Sequence, residues 1–170
     1  EDIEEIIVEP RFEKEASRMI YRPEGYQSIT DAQFSIPYCI AVFLRDPRPG
    51  PNWFTDERLR DPDILRMAAK VRGKGSEISP LDAFALFQNG DYPRASVEIV
   101  ATNGRRASKT LPFPKGHPKN RLTEDEFRSR FRESASFVLN KHQIEQIMDR
   151  VMSLQNVKDV NELTEPMQNP

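Results

Sequence analysis

Apolar and polar positions divide the chain into a mixed strand-and-helix part and a purely helical end. Near the N-terminus, Glu4 to Glu9 carries Ile6, Ile7 and Val8 in succession and stops at Pro10. This predicts a strand, since β-branched side chains suit a pleated surface and proline cannot donate to a ladder. Residues 11 to 29 have weak periodicity and hold Pro23 and Gly25, which predicts connection. From Thr30 or Asp31, either a suitable N-cap, the run DAQFSIPYCIAVFL has the pattern of a buried helix and ends at the turn-forming DPRPGP of residues 46 to 51. A short helix is expected after Thr55. Another, DPDILRMAAKV, opens with Asp61 as its cap and Pro62 in the first helical position.

Gly73, Gly75 and Pro80 then break the chain, and residues 76 to 93 read as a long loop or as a small helical piece around Leu81 to Phe87. The plainest hairpin follows, with ASVEIVAT (95 to 102) and RRASKTLPF (105 to 113) flanking Asn103 and Gly104. Asn-Gly predicts a type I′ turn, and the alternation places Val97, Ile99 and Ala101 on one face. Beyond the proline-rich PFPKGHPKN, Thr123 with Glu126 forms a capping box before FRSRFRESASFVL, and Asn140 with Gln143 repeats it before IEQIMDRVMSL. With almost no loop between them, these helices predict an antiparallel hairpin. A polar, frayed tail is expected from Glu165, with residues 166–170 disordered. The fold class is α+β: a small antiparallel sheet with packed helices over 1–121, then a C-terminal helical hairpin over 122–165.

One residue disturbs the first long helix. Inside a helix, Pro37 removes a donor and clashes with the carbonyl four residues earlier, at a cost of about 3 kcal/mol. Two solutions are open. Either the helix bends there, freeing the Gln33 carbonyl and presenting Gln33, Ser35 and Tyr38 at the break, or Ser35 caps a helix that begins at Ile36, so that Pro37 falls in a first turn whose donors are spare. Both place a tyrosine hydroxyl beside backbone polar groups, an arrangement suited to a carboxylate, with a hydrogen-bonded core tyrosine as the plainer reading.

Totals narrow the classes. The 170 residues are 37% apolar and 31% charged, and the formal net charge is −2. That charge argues against nucleic acid as a partner, because phosphate binding needs a basic excess. No apolar stretch reaches the roughly 18 residues that span a bilayer, so no membrane partner is expected. The one cysteine, Cys39, has no disulfide partner, which points to the reducing cytoplasm. The acidic N-terminus, EDIEEIIVEP, lacks an initiator methionine and a signal region and reads as a cut inside a longer protein.

Familiar catalytic signatures are missing: there is no glycine-rich phosphate loop and no nucleophile elbow, and His117 and His142 lack the spacing of a helical zinc site, so no metal is expected. Acidic runs such as TDER and TEDE sit at helix starts, where the helix dipole accounts for them. Cys39, among Ile36, Ile40 and Phe43, reads as inert packing. PFPKGHPKNR, residues 112 to 121, is different. Gly116 allows close backbone approach, His117 can hold or transfer a proton, and Lys115, Lys119 and Arg121 add positive charge. An anion site and a solvated connection explain it equally well.

Taken in order, DAQFSIPYCIAVFL, FTDERLRDPDILRMAAKV, a hairpin and PFPKGHPKNRLTEDEFRSRFRESA resemble the C-terminal part of the MmgE/PrpD family, which includes 2-methylcitrate dehydratase, cis-aconitate decarboxylase and iminodisuccinate epimerase. The similarity runs from about residue 3 to residue 163. It implies a much longer protein, in which a large N-terminal helical domain carries the main acid, base and cationic groups and this chain forms an α+β lid. The last helices would return to pack on that missing domain. The implied chemistry moves a proton at carbon in small di- or tricarboxylic acids, with loss of water, loss of carbon dioxide or inversion, and needs no cofactor. A cytoplasmic homodimer is implied as well.

Residue by residue, Tyr38 matches the family tyrosine after Gln-Phe-Ser and is the position the resemblance places nearest the substrate, and Gly116 with His117 match its Gly-His pair. The expected substrate-side set is thus Tyr38, Ser35, Gln33, His117 and Gly116, with no catalytic residue certain. LRDPRPGP departs from the Leu-Asp-Gly turn common in relatives, which leaves that loop's conformation open. The alternative reading is a non-catalytic α+β binding module that docks a partner through its helical hairpin.

Overall fold

The β-branched run of Ile6, Ile7 and Val8 forms the centre of strand β1 (Ile3–Glu9) in a computed structural model that describes residues 3–12, 21–75, 77–91 and 93–168. The chain divides into two compact units, residues 1–120 and 121–170. In the first, β1 is followed by β2 (Arg11–Phe12), α1 (Ile29–Gln33), α2 (Ile36–Arg45), a 3-10 turn (Pro51–Phe54), α3 (Asp56–Leu59), α4 (Pro62–Ala68), β3 (Val71–Gly73), β4 (Glu77–Ile78), α5 (Pro80–Gln88), β5 (Ala95–Ala101) and β6 (Arg106–Leu111).

The main sheet has four strands in the order β3-β1-β5-β6. Here the expectation of an antiparallel sheet is corrected: β1 pairs parallel with β3, through Ile6↔Val71 and Val8↔Gly73, so the sheet is mixed. Parallel neighbours need a long crossover, and the helices α1 to α4 provide it. On its other edge β1 pairs antiparallel with β5, through Ile6↔Ile99 and Val8↔Val97. These partners share a face, and Ile6, Val8 and Val71 are buried there against Ile36 and Ile40 of α2 and Met67 of α4. A second, parallel pair joins β2 and β4.

The helices form a further core. Tyr38, Ala41 and Val42 of α2 are buried with Tyr26, Trp53, Leu59, and Ile64, Leu65 and Ala68 of α4. One helix thus serves two cores, turning Ile36 and Ile40 to the sheet and Tyr38, Ala41 and Val42 to α4. Asp61 caps α4 as expected, its carboxylate accepting from the Asp63 amide at 2.8 Å, with Pro62 at the start. Of the segment 11 to 29, read as connection, residues 13–20 lie outside the described residues, and the later part supplies the fully buried Tyr26, whose amide donates to the Leu59 carbonyl at 3.0 Å.

The β5–β6 turn also departs from expectation. Gly104 has φ +80°, whereas Asn103 has negative φ like the other described non-glycine residues. Type I′ geometry would need positive φ at both. Instead the Gly104 amide donates to Ala101 O at 2.9 Å and the Ala101 amide to Arg105 O at 2.8 Å. This is a three-residue loop, a type I turn closed by a glycine bulge. Asn103 stabilises it through its side-chain oxygen, which accepts from the Arg105 amide at 3.0 Å.

The second unit holds α6 (Glu124–Ala135), α7 (Lys141–Met152), a 3-10 turn (Leu154–Asn156), α8 (Asn161–Thr164) and a last turn (Glu165–Met167). Both capping boxes are formed. Ala135, Ile144 and Met148 are buried between α6 and α7, with Phe131 and Leu139 against them. Arg132 reaches across to grip Glu145 with both arms, at 2.7 and 2.9 Å. Within the segment read as a frayed tail, Glu165–Met167 forms a 3-10 turn in which Pro166 is buried, and residues 169–170 lie outside the described residues.

Two outcomes follow from this packing. At Gly25, φ is +95° and an added Cβ would lie 3.0 Å from Arg60 Cγ and 3.1 Å from Leu59 O, whereas at Gly104 it would meet open space. Gly25→Ala therefore loses about 1–3 kcal/mol in urea denaturation from backbone strain with crowding added, and Gly104→Ala loses less. The Arg132 hydrogen bonds hold the Glu145 carboxyl below its usual range. A depressed folded value means that the stabilisation is present above the unfolded value, about 4.3, and disappears as the pH falls through the folded one. Glu145→Gln should accordingly remove part of the melting-temperature loss seen below about pH 4.3.

Candidate functional site

The junction between α1 and α2 resolves the proline problem by the second route. α1 is capped by Ser28, whose hydroxyl accepts from the Asp31 amide at 3.1 Å, and it stops at Phe34. Ser35 is extended, with φ −97° and ψ 110°, and its Oγ accepts from the Tyr38 amide at 3.2 Å. Pro37 then lies in the first turn of α2, where its missing N–H leaves no intrahelical bond unmade. The helix expected to start at Thr30 or Asp31 is thus two helices with a break of two residues.

The break buries hydroxyl groups and leaves Gln33 and Phe34 at the surface. Ser35 and Tyr38 are both fully buried. The Tyr26 and Ser35 hydroxyls share a hydrogen bond of 2.8 Å, and the Tyr38 hydroxyl donates to the Trp53 carbonyl at 2.5 Å. The Tyr26 and Tyr38 rings meet edge to face at 4.9 Å, and Tyr38 stacks on Phe54 at 6.0 Å. Desolvation pushes the Tyr38 phenol up to about 12 and raises that of Tyr26, so both stay protonated donors near neutral pH. Gln33 and Phe34, by contrast, are exposed. Cys39 is half-buried with its Sγ 3.7 Å from the carbonyls of Ala32 and Gln33, and burial raises its thiol, which makes it a poor nucleophile.

The loop holding Gly116 and His117 is closed by its own backbone. Gly116 N–H donates to Asn120 O at 2.9 Å, Asn120 N–H donates to His117 O at 2.7 Å, and the Asn120 side-chain amide donates to Phe113 O at 3.0 Å. Gly116 has φ +98°, in the region open to glycine at no steric cost. The half-buried His117 ring stacks on Phe113 at 4.6 Å, and its Nδ1 accepts from the Lys119 amide at 3.1 Å. Lys119 lays its ammonium over the same Phe113 ring at 4.8 Å and pairs with Asp91 at 3.1 Å.

Of the five sequence-predicted residues, Gln33, Ser35 and Tyr38 therefore share the helix junction, and Gly116 and His117 share the loop after β6. Ser35 and Tyr38 spend their polar groups inside that junction. Sequence reasoning passed over Tyr26 and Trp53, which complete the same network. A buried serine next to a helix-starting proline signals a cap, but the partners of the tyrosines come from turns without periodicity. Among the described residues no cluster of three or more His, Cys, Asp or Glu side chains is placed to hold a metal, and no helix is long and apolar enough to cross a membrane.

The sequence profile of the MmgE/PrpD C-terminal domain matches residues 1–154. The chain belongs to the MmgE/PrpD family. Both the helix junction and the Gly-His loop fall inside the matched MmgE/PrpD segment, as do α6 and α7. No curated protein sequence matches the chain.

The junction makes a direct prediction. Tyr38→Phe leaves the Trp53 carbonyl buried without its donor and should cost about 1–3 kcal/mol of stability. Ser35→Ala, which strips the α2 cap as well as the partner of Tyr26, should cost a similar amount, about 1–3 kcal/mol. Chemical denaturation of the two variants reads both values, and unchanged midpoints would contradict the network.

Proposed function

We propose that this chain is the lid of a cofactor-independent lyase or isomerase acting on small di- or tricarboxylic acids, as a 2-methylcitrate dehydratase would. The observation that carries the reading is the MmgE/PrpD C-terminal domain match over residues 1–154. In this reading the acid–base groups come from a preceding helical domain. The lid supplies polar groups at its surface: the exposed Gln33 at the end of α1, and Gly116 with His117 on the loop after β6. Ser35 and Tyr38 act from inside, setting where α1 stops and so where Gln33 is presented.

Such a division suits the chemistry. Moving a proton at carbon needs an acid and a base held within hydrogen-bond reach of the substrate, and proximity of this kind requires both halves of a cleft. Apolar side chains left at the surface of the first unit, among them Phe34 at 57% and Phe43 at 47% exposure, support a further domain packing on it. In a second reading the helical hairpin docks a separate partner, and Phe137 and Val138, 55% and 74% exposed in the turn between α6 and α7, favour it.

An assay separates the two. The 170-residue chain and the longer protein encoded around it are incubated with 2-methylcitrate and with cis-aconitate, and product is followed by chromatography. Turnover is expected from the longer protein alone. Turnover by the short chain unaided, or a gene that encodes nothing further, overturns the lid reading.

A further inference from the structure

The main sheet ends at β6 in an open edge. This strand lies outermost in the order β3-β1-β5-β6, all six of its residues are exposed, and its strand partner among the described residues is β5 alone. Alternation along the ladders shows which of its backbone groups are spare. The Ile6 amide donates to Lys70 O at 3.0 Å, so Ile6 turns its backbone to β3, and Glu5 and Ile7 turn theirs to β5. Glu98 and Val100 opposite them therefore face β1, which leaves Val97, Ile99 and Ala101 to face β6. The Ala101 amide accordingly donates to Arg105 O at 2.8 Å. Across the register Ile99↔Ala107 and Val97↔Lys109, the residues Ala107 and Lys109 face β5, and Arg106, Ser108 and Thr110 turn amide and carbonyl outward.

Charge decides what can pair there. The turn and strand from Thr102 to Leu111 carry Arg105, Arg106 and Lys109 and no acid. Arg106 is matched by Glu98 of β5 at 3.2 Å, and no ion pair among the described residues takes up Arg105 or Lys109. We propose that the β6 edge is a docking site for an extended acidic segment of another polypeptide, which joins the sheet as a further strand. Its backbone would pair with the outward groups of Arg106, Ser108 and Thr110, and its carboxylates would meet Arg105 and Lys109. Apolar contact is on offer as well: Leu111, 46% exposed, and Ala107 continue the face on which Val97 and Ile99 pack against the sheet's core. A second copy fits worse. Two β6 strands pairing antiparallel about Ser108 would set the two Lys109 side chains diagonally across one face, with no acid to answer any of the cations. Lysine on an open edge deters such pairing, so the side chain that turns away another copy is the one that draws an acid. The docking rests on the edge alone and is independent of the lid reading.

Amide hydrogen exchange of the 170-residue chain, read residue by residue by NMR, tests it with a blocked heptapeptide of alternating glutamate and valine. With the peptide in excess, the Arg106, Ser108 and Thr110 amides should gain about fivefold in protection, the worth of one net hydrogen bond, while those of Ala107 and Lys109, already bonded to β5, stay as they are. The lysine–valine counterpart should leave all of them unchanged. Lys109→Glu should weaken the glutamate peptide by about fivefold. Ser108→Pro, which removes an outward donor and spares the β5 ladder, should weaken it by about tenfold, and N-methylation of the peptide backbone, which leaves the protein untouched, should abolish the protection. No gain in protection with the glutamate peptide overturns the proposal, as does an equal gain with the lysine peptide or the N-methylated one. So does protection that appears without peptide as the chain is concentrated, which would assign the edge to a second copy.

Discussion

A chain that passes from one helix to the next within two residues must find partners for the free amides of the second helix, and Ser35 supplies the first of them. Its Oγ takes the Tyr38 amide and shares a hydrogen bond with the Tyr26 hydroxyl. With α2 started at that point, Ile36 and Ile40 turn to the sheet while Tyr38, Ala41 and Val42 turn to α4. Shifting the start by one residue would rotate the helix by about 100° and exchange those faces. The cap therefore decides which side chains enter which core, and the two cores meet along one helix.

Much of this was legible in the chain. Strand β1, the caps at Asp61, Thr123 and Asn140, and the β5–β6 hairpin all rest on local rules, in which a short side chain and its neighbours three residues away settle the outcome. What local rules could not reach were the pairings between distant segments. Nothing near Val71 announces that a three-residue strand lies parallel to β1, since the decision is made by the length and packing of the helical crossover. The turn at Asn103-Gly104 shows a smaller failure of the same kind, where the loop took in Thr102 and one glycine with positive φ sufficed.

The candidate site shows the same division. Gly116 and His117 stood out by residue type, and the glycine does adopt the backbone region that type suggests. Tyr38 and Ser35 stood out as well, but their surroundings depend on Tyr26 and Trp53, which lie in segments with no periodic pattern. A sequence shows that a tyrosine follows a proline. It does not show that a carbonyl from a turn at Pro51–Phe54 waits for the hydroxyl.

Helix α5 stands apart from this economy. It has nine residues, Ser79 caps it, and Leu81, Phe84 and Phe87 are 80%, 60% and 46% exposed along it. A helix of that length is marginal in water on its own, and among its described side chains Ala83 and Leu86 are the half-buried ones. The chain therefore carries a greasy, largely exposed turn of backbone between β4 and β5, which makes that stretch a natural point of attack for a protease and a natural nucleus for clumping at high concentration.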